Sequence, residues 1–180
     1  MKFERLPLPG CWLIVPEMHV DERGSFARVF CEREFSAAGI PFASSQFNLS
    51  SNKRRGTLRG MHLQLAPHAE TKIVRCTRGR IYDVILDLRV DSPTYQQWHA
   101  VELTADGQVA VLIPEGCAHG FQSLEDGTDV FYQMSSEYQP TSATGVRWND
   151  PAFKIAWPIL PPKVNQRDAS FPDYIAGTRG

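Results

Sequence analysis

His62, Lys72 and Tyr132 have side chains of three types that together suit one reaction, the removal of a proton from a carbon next to a carbonyl. Such a step needs a base near neutrality, a donor for the developing enolate oxygen, and an acid that returns a proton to the other face of the carbon. Histidine supplies the base, and a cation such as Lys72 or Arg59 supplies the donor. Tyrosine, whose ordinary pKa of about 10 leaves it protonated at pH 7, supplies the acid. No cofactor is required.

The two histidines of interest sit in recognisable segments. His62 lies in Gly56-Thr-Leu-Arg59-Gly-Met-His62-Leu-Gln64, followed by Glu70 and Gly79, and His119 ends Pro114-Glu-Gly116-Cys-Ala-His119. These segments resemble, loosely, the first and second motifs of the cupin jelly rolls. In metal-dependent cupins the first motif supplies a His-x-His pair and a Glu, and the second a further His. Here Gln64 replaces the second histidine, a neutral amide is a poor substitute for imidazole on a transition metal, and Glu70 is displaced from the usual spacing. The expectation is therefore no metal, with His62 free to act as a base. A single such histidine would pass for a hydrogen-bonded core residue; two at the mouth of one barrel point to a site.

Those residues need a β framework to hold them. Thirteen Gly and thirteen Pro punctuate short alternating or β-branched segments, the pattern of an all-β sandwich or barrel. Strands are expected over Cys11 to Val15, Ser25 to Phe30, Ser45 to Ser50, Thr57 to Gln64 and Lys72 to Thr77. Five more are expected over Arg80 to Leu88, Trp98 to Leu103, Val109 to Ile113, Ala118 to Ser123 and Asp129 to Ser135. One short helix is expected over Glu32 to Ala38, ended by Gly39. Gly79 and Asp106-Gly107 each separate two strand-like runs and are expected to form hairpin turns. Strict alternation sends Arg59 and His62 to opposite faces of their strand, and both reach one cavity only if Gly60 marks a bulge, which we assume. Asp83, on the strand from Arg80, has two readings, a carboxylate that orients a site histidine or an ordinary solvated strand carboxylate. The tail from Pro158 is expected to wrap the domain surface, and Ala176 to Gly180 are expected to be disordered.

Composition bounds the class of partner. The chain has 180 residues, 42% hydrophobic and 22% charged, with 19 basic and 20 acidic side chains and a formal net charge of -1. That is one ordinary domain over residues 1–180, large enough to hold its core without metal or disulfides. Near-neutral charge argues against a broad surface for nucleic acid or anionic membrane. The longest apolar runs, Cys11 to Val15 and Val109 to Ile113, fall far short of the roughly 20 residues of a membrane span. Pro7 and Pro9 interrupt the N-terminus, so we read it as untargeted. Cys11, Cys31, Cys76 and Cys117 are scattered without a C-x-x-C pair and read as reduced thiols of a cytoplasmic protein.

Over nearly its whole length the chain resembles the dTDP-4-dehydrorhamnose 3,5-epimerases of deoxysugar biosynthesis. The resemblance rests on Asp21-Glu-Arg23-Gly24, Gln46-Phe-Asn48-Leu-Ser50, the His62 segment, Lys72-Ile-Val-Arg-Cys and Asp83-Val-Ile-Leu-Asp87-Leu-Arg. It continues through Asp91-Ser-Pro-Thr, Ile113 to Phe121, Phe131-Tyr132, Gly145-Val-Arg-Trp-Asn-Asp-Pro151, Ile155-Ala-Trp-Pro158 and Asp168. It implies a homodimeric, metal-free cupin barrel, a double-stranded β-helix with a short helix and a C-terminal tail packed on it. The substrate it implies is a nucleotide-diphosphate-linked 4-keto-6-deoxyhexose, inverted at carbons 3 and 5. His62 would be the base, Asp168 would hold its imidazole, Tyr132 would be the acid, Lys72 would polarise the carbonyl, and Arg59 and His119 would join them. Arg23, Gln46, Asn48 and Arg167 resemble diphosphate and ribose contacts, and Phe26 and Tyr138 base-stacking residues.

The chain departs from the family pattern at three places. Arg28 stands where the family carries an acidic residue that bonds the nucleobase, Gln133 follows Tyr132 where lysine is common, and Asn165-Gln-Arg167-Asp168 replaces Ser-x-Lys-Asp. The alternatives are a 3-epimerase, a ketoisomerase acting on another nucleotide sugar, an idle nucleotide-sugar-binding cupin, and a metal-dependent cupin.

Overall fold

Alternation of apolar and polar side chains is satisfied here by antiparallel pairing, and the pairs assemble into two facing sheets. The computed structural model describes residues 1–176. In chain order these form β1 (Lys2–Arg5), β2 (Trp12–Val15), β3 (Met18–Asp21), β4 (Gly24–Ala27), α1 (Glu32–Ala37), β5 (Gln46–Asn52) and β6 (Leu58–Gln64). There follow β7 (Lys72–Arg78), β8 (Arg80–Asp87), β9 (Trp98–Thr104), β10 (Ala110–Ile113), β11 (Cys117–Ser123), β12 (Thr128–Met134), β13 (Ala143–Gly145) and α2 (Gln166–Ala169). The six-stranded sheet runs β1-β2-β10-β7-β12-β5, the five-stranded sheet β13-β6-β11-β8-β9, and β3 with β4 makes a separate ribbon.

All ten strands expected from the sequence are present, with ends moved by one to three residues. β1, β3, β13 and α2 were not expected. Helix α1 ends one residue early, and Gly39 at φ +72° closes it by donating its N–H to Ser36 O. The two expected hairpins are not formed. β7 pairs with β10 and β12 while β8 pairs with β9 and β11, so Gly79, at φ +76°, turns the chain from one sheet into the other. The turn at Asp106-Gly107 likewise leads from β9 in one sheet to β10 in the other. A tight turn between apolar runs announces a reversal of the chain, but the partner of each strand is chosen by which inner face it must bury.

Three apolar layers result. Between the sheets pack Val74, Ile81, Ile85, Val111, Phe121 and Val130. Outside the six-stranded sheet, Phe35 of α1 with Ile40 and Phe42 covers Ile14, Ile73 and Leu112. Outside the five-stranded sheet, Val146, Phe153 and Trp157 cover Leu58, Met61, Leu63 and Leu86. The tail beyond Pro158 adds Val164 and Tyr174 to that last layer. Ala176 ends the described chain in a turn, and the expectation of disorder for the residues after it lies outside the described residues. Among the described residues no helix is long and apolar enough to cross a membrane. All four cysteines are free.

Candidate active site

The assumed bulge in β6 is real, and it brings the polar groups together. His62 pairs with His119 of β11, but Arg59 pairs with Phe121, so three residues of β6 span two of β11. Leu58, Met61 and Leu63 consequently face the outer layer while Arg59, His62 and Gln64 line the cavity between the sheets. Gly60 makes this possible at φ +124°, where a Cβ would strike Gly120 Cα and lie 2.8 Å from His119 O.

The cavity has a volume of about 610 Å³ and is walled by both sheets. His62 and His119 come from the five-stranded sheet, Lys72 and Tyr132 from the six-stranded one. His62 is 39% exposed, and its Nε2 lies 2.8 Å from Asp168 Oδ1. Asp168 comes back from the tail on α2, whose N-cap Asn165 accepts the Asp168 N–H at 2.7 Å, and its other oxygen accepts the Gly60 N–H at 3.1 Å. Burial by itself would raise the Asp168 carboxyl. The His62 bond, the Gly60 N–H and the Arg167 charge outweigh it and hold the group below the ordinary carboxylate range.

Behind His119 stands a second carboxylate, Asp83, 2.7 Å from Nε2 and fully buried. Of the two readings of Asp83, the solvated strand carboxylate is excluded by its burial, and the bond to His119 is the one formed. Tyr132 packs edge-on to His119, with ring centroids 6.1 Å apart, and burial pushes its hydroxyl well above the ordinary phenol range, so it carries its proton throughout the working pH range. Lys72 Nζ lies 2.9 Å from Glu70 Oε1 and 3.4 Å from His62 O. Arg59 Nε donates to Asn52 Oδ1 at 2.9 Å.

Gln64 is fully engaged. Its amide nitrogen lies 3.0–3.1 Å from His68 O, Glu70 Oε2 and Glu137 O, which share its two N–H groups, and its oxygen accepts the Gln139 N–H at 2.6 Å. Among the described residues no cluster of three or more His, Cys, Asp and Glu is placed to hold a metal ion.

Gln46, Asn48, Tyr138 and Arg167 line the mouth of the same cavity, where Gln46 Nε2 donates to Asn48 Oδ1 and Gln46 Oε1 accepts the Tyr138 N–H, both at 3.0 Å. The other three expected contacts are elsewhere. Arg23 and Phe26 belong to the β3–β4 ribbon, where Arg23 pairs with Asp21 and Phe26 is 71% exposed; Arg28 pairs with Glu34 of α1 at 3.0 Å. None of the three lines the cavity of its own chain. Sequence reasoning missed Ser50, which lines the cavity beside Tyr132, and the ion pair of Glu70 with Lys72. The Asn165-x-x-Asp168 spacing of a helix N-cap was the available signal for α2.

The family model described as dTDP-4-dehydrorhamnose 3,5-epimerase matches residues 5–175. The chain belongs to this epimerase family. It is 39% identical over 173 residues to the dTDP-4-dehydrorhamnose 3,5-epimerase of Sinorhizobium fredii, covering 96% of this chain and 89% of the relative. It is 38% identical over 169 residues to a dTDP-4-dehydrorhamnose 3-epimerase of Streptomyces niveus, covering 93% and 81%. Among solved structures, the Bacillus anthracis dTDP-4-dehydrorhamnose 3,5-epimerase with TDP and PPi bound superimposes with a TM-score of 0.94 at 36% identity, covering 96% of this chain and 99% of that one. The family and the fold expected from the sequence, a cupin-type all-β barrel, are thus both found.

Proposed function

We propose that the chain epimerises a dTDP-linked 4-keto-6-deoxyhexose at carbons 3 and 5 through an enolate. The observation that carries this reading is the placement of a base and an acid on opposite walls of one cavity, His62 on the five-stranded sheet and Tyr132 on the six-stranded sheet. Inversion at carbon demands that a proton leave one face and another arrive on the opposite face. His62 takes the proton next to the carbonyl, and Asp168 holds the ring and stabilises the imidazolium. Lys72 and Arg59 offset the charge that develops on the carbonyl oxygen, and Tyr132 donates to the other face. The chemistry is complete with side chains of this chain.

Gln46, Asn48, Tyr138 and Arg167 take the nucleotide end. For Arg23, Phe26 and Arg28 to reach it, a second protomer must supply them, so the active form is a homodimer. Exposed Val20 and Phe26 on the ribbon and exposed Phe47 and Leu49 on β5, an edge strand, support this arrangement. We read residues 1–180 as one catalytic domain with a nucleotide-sugar substrate. Four free cysteines favour the cytoplasm.

The test is solvent deuterium uptake into dTDP-4-keto-6-deoxyglucose, followed by mass spectrometry. Two deuterons are expected. Similarity to the Streptomyces niveus 3-epimerase favours a second reading, inversion at one carbon, which uptake of a single deuteron would establish. Tight binding without uptake would leave a nucleotide-sugar-binding cupin.

A further inference from the structure

Gln64 and Glu70 have no place in the proposed reaction, yet both are buried, and Glu70 lies against Lys72. The Lys72 side chain is itself 8% exposed, with Glu70 Oε1 at 2.9 Å and His62 O at 3.4 Å from its Nζ. Glu70 is in turn held from behind, since Oε2 accepts the Gln64 amide at 3.0 Å and that amide is anchored to the backbone at His68, Glu137 and Gln139. From the flanking strands Lys72 is paired only with Ile113 on β10 and Met134 on β12, which bring no charge. The remaining ionisable groups lining the cavity are His62 and Arg59 on β6, His119 on β11, Tyr132 on β12, Tyr138 between β12 and β13, and Arg167 with Asp168 on α2.

We infer that Glu70, locked in place by Gln64, is a positioning residue that holds the Lys72 ammonium in one place at the cavity wall, and so sets the rate at which the enolate forms. The inference rests on the assignment of Lys72 to the carbonyl oxygen. A carboxylate at contact distance fixes the direction of an ammonium through a charge-assisted hydrogen bond. The lysine stem is flexible and orients poorly by itself.

In Glu70→Gln the catalytic rate of deuterium exchange is expected to fall by about ten- to a hundredfold while KM stays near the wild-type value, because the ammonium remains but is no longer held in place. A wild-type rate in Glu70→Gln would overturn the inference. Should Glu70→Gln not fold, Glu70→Asp, whose carboxylate falls one methylene short of Lys72, is expected to show the same split, and a wild-type rate there would overturn it equally. Lys72→Met separates the inference from its premise. Loss of exchange in that variant upholds the role of Lys72 whatever Glu70 does, and exchange at the wild-type rate removes that role even if Glu70→Gln slows exchange.

Discussion

His62 and His119 are cross-strand partners on β6 and β11, and each ring is bonded through Nε2 to a carboxylate, Asp168 at 2.8 Å and Asp83 at 2.7 Å. Access distinguishes them, because His62 is 39% exposed and His119 5%. A carboxylate behind an imidazole orients the ring and favours its charged form. The more exposed ring is the better placed to take a proton from a substrate carbon, which supports the proposal of His62 as the base.

His62→Ala is expected to slow deuterium exchange by about 10²–10⁴-fold, the usual contribution of a general base. dTDP should still bind, since Gln46, Asn48 and Tyr138 lie at the mouth of the cavity. Asp168→Asn should produce a smaller loss, because an amide can still orient the ring while no longer stabilising the imidazolium. Exchange rates by mass spectrometry, paired with dTDP titration calorimetry, check both.

Removing the acid should uncouple exchange from inversion. In Tyr132→Phe the proton taken by His62 can still exchange with solvent and return to the same face, so deuterium enters with retention. Formation of the inverted sugar, followed by proton NMR couplings, is expected to fall by about 10²-fold or more. Equal loss of exchange and inversion would argue that Tyr132 acts in the deprotonation as well.

A Cβ at Gly60 has no room and the backbone there is at φ +124°. Gly60→Ala should therefore destabilise the fold by roughly 2 kcal/mol or more, measured by urea unfolding, and should also abolish exchange by shifting Arg59 relative to His62.

Asp87 makes acid stability testable. Burial by itself raises its carboxyl, but bonds from Arg89, Ser92 and Thr94 prevail and hold it at about 2, against 3.8 for the free side chain. Because the folded value lies below the unfolded one, this group contributes about 2 kcal/mol of stability above pH 4, lost as pH falls from about 4 through about 2. Urea midpoints of Asp87→Asn should lie below the wild type at pH 7, and the difference should shrink toward pH 2.5.

If the β3–β4 ribbon serves the partner's cavity, His62→Ala and an Arg23→Ala, Phe26→Ala variant should complement each other when their dimers are mixed. Random exchange leaves roughly a quarter of the sites intact. No recovery on mixing, with light scattering showing a single-chain mass, would return the ribbon to its own protomer.

Ten strands and the short helix were legible in the sequence, because alternation and turn chemistry are local, whereas the cavity residues of β6, β7, β11 and β12 were legible from side-chain type and motif and those of β5 from the family resemblance. β1, β3 and β13 escaped because Lys2–Arg5 and Met18–Asp21 are largely exposed and Ala143–Gly145 is too short and too small to alternate. What local pattern could not decide was pairing. Gly79 reads as a hairpin turn but joins two sheets, since each flanking strand buries its apolar face against partners far along the chain. The union of Asp168 with His62 across 106 residues, the seat that Gln64 and Glu70 make for Lys72, and the separation of Arg23 and Phe26 from their own cavity arise only when both sheets close on one core. Residue types name the reaction, and tertiary packing alone sets which of them meet.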